Sequence, residues 1–138
     1  MALVQTMCSS FKRESWLAIH DLDTDVLKMA LYTSAAPLGA DTTVYTATGE
    51  VVGTGYTAGG EVLVNVQVLL SGTTAYATFN NPTWMGVNFV ARGGLIYNTS
   101  KANRAIAVLD FGADKIAGPN FTVQMPTATA TTALLRFS

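Results

Sequence analysis

The chain has one cysteine, Cys8, one histidine, His20, and few charges: Lys, Arg, Asp and Glu together make up 12% of its 138 residues. A single thiol excludes an internal disulfide and supplies no zinc-ligand set, so Cys8 is expected to be a buried or interfacial apolar group rather than a nucleophile. A single imidazole would have to serve any serine or cysteine nucleophile as its base. No Gly-x-Ser-x-Gly elbow accompanies it. The net charge of −1 and the isoelectric point near 5.6 offer no basic footprint for phosphate neutralisation, so direct nucleic-acid binding is not expected. No run approaches the roughly 18 apolar residues needed to cross a bilayer, and the first residues lack a basic stretch followed by an apolar one. Neither a membrane span nor export from a cytosol-like compartment is expected.

Apolar residues are abundant, at 49% of the chain with a mean hydropathy of +0.31. Charged residues usually reach about 25%, so this surface has to be finished with Thr, Ser, Asn, Gly and Ala. Copies of such a molecule repel one another weakly. Two classes fit: an ordinary small β protein, or a subunit whose faces are covered in an assembly. The length suits one domain.

Residues 1–9 carry few structural signals and are expected to form an arm ahead of a single domain at 10–138. Ser9 or Ser10 can cap a short helix over 11–17, with Glu14 in its first turn and Phe11 and Trp16 as its large apolar groups. So short a helix needs a packing partner. From 26 to 33 the chain alternates Leu27, Met29 and Leu31 with Lys28, Ala30 and Tyr32, the pattern of a half-buried strand. Pro37 and Gly39 close it. Residues 42–46 and 50–52 are short strand candidates, and glycine-rich 53–60 is the expected bend between sheets. The longest β signal, 61–70, places Val62, Val64, Val66 and Val68 on one face, expected to lie inside. Ser71-Gly72 turns it into a partner strand at 73–80, and Trp84 falls in the connection that follows. A second hairpin, 89–97 and 104–111 about a polar turn at 98–103, is the organising element of the chain. A loop at 112–118, a strand at 119–124 and a last strand at 127–137 bring the total to roughly eight strands. This pattern predicts an all-β fold, an antiparallel β-sandwich of jelly-roll type with one short N-terminal helix.

His20-Asp21-Leu22-Asp23-Thr24-Asp25 is the one cluster of ionisable groups with site-like spacing. It resembles the start of a calcium loop, but Val26 stands where a glycine must turn and Tyr32 where a bidentate Glu is required. A solvated loop that caps the following strand is the simpler expectation. Glu14, Glu50, Glu61, Asp110 and Asp114 share no motif for paired-carboxylate catalysis. The stretch from Gly53 to Gly60 is not a phosphate cradle, because it leads into a strand rather than a helix N-terminus. Asn98-Thr99-Ser100 and Asn120-Phe121-Thr122 match the glycosylation pattern, without a signal peptide to deliver them. Arg92, Lys101, Arg104 and Asp110 suit cross-strand ion pairing. Trp16, Trp84 and Phe137 suit either core or interface anchors.

Several segments together resemble a known family: Ser10-Phe11-Lys12-Arg13-Glu14, His20-Asp21, Leu27-Lys28-Met29-Ala30-Leu31-Tyr32, Glu50-Val51-Val52-Gly53-Thr54-Gly55-Tyr56, Gly59-Gly60, Ala91-Arg92-Gly93-Gly94-Leu95-Ile96-Tyr97-Asn98 and 103–112. They are similar to those of the capsid cement, or decoration, proteins of tailed bacteriophages, small virion structural proteins with a jelly-roll fold. The resemblance implies a homo-oligomer, dimer or trimer, on the outer surface of the head. It would be made in the bacterial host cytoplasm and bound to the major capsid protein, stabilising the shell against the pressure of packaged DNA. It implies no catalytic residue, no cofactor and no metal. The interface candidates are Leu3, Val4, Phe11, Trp16, Trp84, Leu134, Leu135 and Phe137. Another virion part, such as a tail- or fibre-associated receptor-binding domain, is the alternative, since fold does not fix function.

Overall fold

The computed structural model describes residues 3, 5–125 and 134–137. Along the chain run β1 (Thr6–Met7), α1 (Ser9–Trp16), β2 (Leu27–Tyr32), β3 (Glu61–Val62), β4 (Gln67–Ser71), β5 (Thr74–Thr78), β6 (Thr83–Met85), β7 (Phe89–Asn98), β8 (Arg104–Ala117), β9 (Asn120–Thr122) and β10 (Leu135–Phe137). The fold is mostly β, every strand pairing is antiparallel, and there is one α-helix among the described residues. The strands divide into three sheets, ordered β1-β8-β7-β2-β3, β10-β5-β4 and β6-β9.

The β7–β8 hairpin is the centre of the largest sheet, as its sequence predicts. Its turn is held by the Asn98 side chain, which accepts from the Ser100 amide at 3.0 Å, and by Ala102 and Asn103 in left-handed conformation. β8 runs on to Ala117, where a loop was expected from 112. The register slips between the pairs Ala91–Lys115 and Gly93–Asp110, so the extra residues form a bulge at Gly112 (φ +83°) and pairing resumes beyond it.

β2 is buried on both faces rather than half-buried. The chain from 33 to 60 folds back over it: the Val51 amide donates to Leu31 O at 3.0 Å and the Tyr32 hydroxyl to Thr46 O at 2.6 Å. The segments 42–46 and 50–52 make only isolated bridges, Val44 to Arg104 and Tyr32 to Glu50, because they cross strand ends instead of lying along them. At Gly60 (φ +84°) a Cβ would meet Met29 O at 1.8 Å, so only glycine lets this cover reach β2.

The expected strand 61–70 is broken at Asn65, whose φ of +57° turns the chain out of one sheet and into another. The corner lies here, closed by the Asn80 amide on Val64 O at 3.0 Å, and not at 53–60. The break also splits the expected valine face: before it Leu63 goes inside and Val62 and Val64 stand about half exposed, while after it Val66 packs against the core and Val68 lies on the face of buried Ala77 and Leu135. β4 and β5 do form the predicted hairpin, across Gly72-Thr73.

The helix starts two residues earlier than expected, with Cys8 as the cap residue and no side-chain cap bond; Ser9 and Ser10 lie inside it. The Cys8 amide donates to Ile106 O at 2.9 Å and the Ser9 amide to Ala40 O at 2.8 Å, which ties the start of α1 to β8 and to the segment that covers β2. In the expected arm, Leu3 is buried and β1 pairs with β8, so Thr6–Met7 is part of the domain's sheet. The expected strand at 127–137 falls within the described residues only at 134–137. There β10 pairs with β5.

Candidate functional site: closed polar clusters and an open apolar rim

The acidic stretch after α1 keeps Asp21, Asp23 and Thr24 exposed, as expected of a solvated loop. Its ends are drawn into a ladder that joins α1, this loop and the end of the β7–β8 hairpin. Arg104 Nη1 donates to Glu14 Oε2 at 2.9 Å, and His20 Nε2 lies 2.8 Å from Glu14 Oε1. The Asn98 amide nitrogen reaches His20 Nδ1 at 3.0 Å and Asp25 Oδ2 at 2.7 Å. Lys101 Nζ closes the far end on both Asp25 oxygens, at 2.9 and 3.0 Å. The Ser100 amide, donating to Asn98 Oδ1, fixes which way the Asn98 amide faces. His20 therefore accepts at Nδ1 and donates through Nε2, as a neutral ring.

Glu14 and Asn98 are buried, as are the side chains of His20 and Asp25. Two carboxylates are matched by two cations, which is what makes so much buried polarity tolerable. Burial pushes the Asp25 carboxyl up; the bonds from Asn98, the Asp21 amide and Lys101, with the Lys101 charge, outweigh it and hold the group below the usual carboxylate range. Both His20 nitrogens are engaged, so neither is free to deprotonate a nucleophile or bind a metal. Asp21 Oδ1 accepts from the Asp23 amide at 3.2 Å and shapes the loop. Among the described residues no group of three or more His, Cys, Asp or Glu side chains is placed to hold a metal ion.

A second cluster has no counterpart in the sequence reading. Glu50, buried beside β2, accepts at Oε1 from the Tyr45 hydroxyl and at Oε2 from the Tyr56 hydroxyl and from the Gly59 amide at 2.8 Å. The Tyr97 hydroxyl donates to Gly59 O at 2.6 Å, and its ring stacks on Tyr45 with centroids 4.8 Å apart. Burial and the Glu50 carboxylate raise the Tyr45 and Tyr56 phenols, and Tyr97 to about 12. The glycine-rich stretch thus feeds a backbone donor to a carboxylate, and the phenols stay protonated at neutral pH. A signal was present: one acid close to Tyr45 and Tyr56, in a chain with five tyrosines. Nothing local gives its contact with Tyr97.

Cys8 is fully buried, and burial raises its thiol to about 12, with the charges of Glu14 and Asp41 adding. Arg92 and Asp110 pair across the hairpin at 2.9 Å, as expected, whereas Lys101 and Arg104 belong to the ladder.

The interface candidates separate into two groups. Leu3, Phe11, Trp84 and Leu135 are buried in the chain's own core, Trp84 in β6 against Phe121 at 6.2 Å. They are not available on the folded surface. Leu134 is half-buried, and Val4 lies outside the described residues. Trp16 is 91% exposed and Phe137 45% exposed, and with Ser15 and Arg136 they line an open concavity of about 540 Å³. Phe137 also stacks on Phe11 at 6.2 Å. Leu70 and Ile116, not singled out from sequence, are exposed too, at 75% and 85%.

No protein-family model matches the chain, nor does any curated protein or solved structure.

Proposed function

We propose that this protein is a capsid decoration protein, a homo-oligomer bound to the outside of a tailed-phage head. It would bridge subunits of the major capsid protein and hold the expanded shell against packaged DNA. The carrying observation is the contrast between the polar groups, which close on one another in the Glu14–Asp25 ladder and around Glu50, and the large apolar groups left in solvent at Trp16, Leu70, Ile116 and Phe137. Such a surface suits binding: the side chains of Glu14, His20, Asp25 and Glu50 are already partnered, and the exposed apolar groups are of the kind that anchor interfaces. The segments that resemble the family support the same reading. They form the framework, β2, β7, β8 and the Glu50–Tyr56 cluster, which leaves recognition to the outer surface.

In this reading the five-stranded and three-stranded sheets are the two layers of a jelly-roll sandwich. Each copy touches several shell subunits, so that binding the expanded shell stabilises it by mass action and by multivalent attachment.

The test is direct. Purified protein added to undecorated heads is expected to bind saturably and to raise the temperature at which they release DNA. Failure to bind, or absence of the protein from DNA-filled heads that lack tails, overturns the reading. In the latter case a reconstruction of whole particles would show the density on the tail or fibres instead.

A further inference from the structure

We infer that two copies of this chain pair through the open edge of β4, joining their three-stranded sheets into one antiparallel sheet of twice the width. The inference deepens the homo-oligomer part of the proposed function, while the capsid part stands or falls separately.

Among the described residues β4 is the outer strand of its sheet, paired to β5 on one side only. It is the longest strand at an edge among the described residues; β1, β3 and β10 have two or three residues each. Natural edges are usually protected by a charge, a proline or a bulge. β4 reads Gln67-Val68-Leu69-Leu70-Ser71 and has none of these. All five residues are exposed.

The turn fixes which backbone groups face outward. Gly72 has φ +59° and the loop between Ser71 and Thr74 is two residues long, the geometry of a hairpin with glycine first in the turn. Ser71 and Thr74 are then a hydrogen-bonded pair, and alternation makes Leu69–Tyr76 and Gln67–Thr78 the next two. The N–H and C=O groups of Val68 and Leu70 point away from β5. Among the described residues no turn or loop amide or carbonyl is bonded to them.

That spacing is self-complementary about Leu69. With Leu69 on a two-fold axis, Val68 of each copy faces Leu70 of the other, and each such pair exchanges two hydrogen bonds. The side chains match as well. Val68 and Leu70 point to the face that carries Ala75, Ala77 and Phe137, and Val68 borders a recess shared with Leu22 and Phe137. In this register Leu70 of the second copy, the most exposed residue of the strand, lies beside Val68 at that recess. This happens twice in the pair. The two Leu69 side chains, each 40% exposed, meet on the opposite face. A two-fold axis sets like groups against like, so a charge on the strand would oppose pairing. The absence of charge on β4 therefore favours a second copy as the occupant.

The experiment uses the full chain, with sedimentation velocity and native mass spectrometry over a concentration series. A dimer is expected. Leu69→Lys sets two ammonium groups face to face on the axis and is expected to raise the dissociation constant at least tenfold, with circular dichroism unchanged and, on protein dilute enough to be monomeric, an unchanged thermal midpoint. Leu69→Cys is expected to form a disulfide-linked dimer on mild oxidation. Leu70→Cys should not, because in this register the two positions 70 lie roughly 8 Å apart, beyond disulfide reach. Buried Cys8 stays out of the reaction. A monomeric wild-type chain, a trimer, a dimer insensitive to Leu69→Lys, or equal crosslinking of both cysteine variants would each overturn the inference.

Discussion

The two predicted hairpins, β4–β5 and β7–β8, have similar local patterns and opposite fates. β7–β8 is flanked on both sides, by β1 and β2, and its turn is gripped by the polar ladder, so it is mostly buried. β4–β5 has β10 on one side and, among the described residues, no strand on the other, and its outer strand is exposed along its whole length. A strand pattern therefore sets the readiness to pair, while the neighbours decide whether the strand is core or docking surface. The contrast can be broken or sharpened at specific residues.

The largest effect is expected beside β2. Glu50→Ala leaves the Tyr45 and Tyr56 hydroxyls and the Gly59 amide without their acceptor in a buried setting, at a cost of about 3 kcal/mol or more. Urea unfolding should show a lower midpoint with unchanged slope. Asn98→Ala removes the central rung of the ladder and is expected to cost about 2 kcal/mol, visible in the same measurement and as faster amide exchange in the β7–β8 turn. If either change were neutral, the idea that these clusters hold the main sheet would fail.

pH offers a third handle. The Tyr97 phenol is raised from 10.0 to about 12, and those of Tyr45 and Tyr56 are raised as well. The folded state binds these protons more tightly than the unfolded one. Their contribution is complete below pH 10 and is lost as pH rises through the folded values. Asp25 is lowered from 3.8, so its contribution is present above that pH and is lost as pH falls through the folded value. Thermal midpoints across pH should fall at both ends, and Tyr97→Phe should shrink the alkaline loss.

The smallest effect on stability belongs to the other hairpin. Leu70→Ser is expected to change unfolding of the dilute monomer by no more than about 0.5 kcal/mol, because the residue is 75% exposed in the single chain. The same substitution should weaken self-association, which separates a docking surface from a core.

Much of the fold was legible in the sequence. Alternation and turn chemistry gave both hairpins and the mostly β class, and capping residues gave the short helix, because strand period and turn conformation are local properties. The candidate site was hardly legible. The ladder brings Asn98 to His20 and Asp25 and Arg104 to Glu14 across 73 to 90 positions, and no local pattern records such pairings.

By itself, then, the sequence determined which segments extend, where they turn and which single thiol and imidazole exist. Only the tertiary structure decided that β2 is covered on both faces, that Asn65 is the corner and Val62 and Val64 face out, and that the charges of the hairpin turn are matched to Glu14 and Asp25. The physical reason is that a period of two separates the faces of a strand without naming what covers either one. Burial and hydrogen-bond partners are set by elements that arrive from elsewhere in the chain.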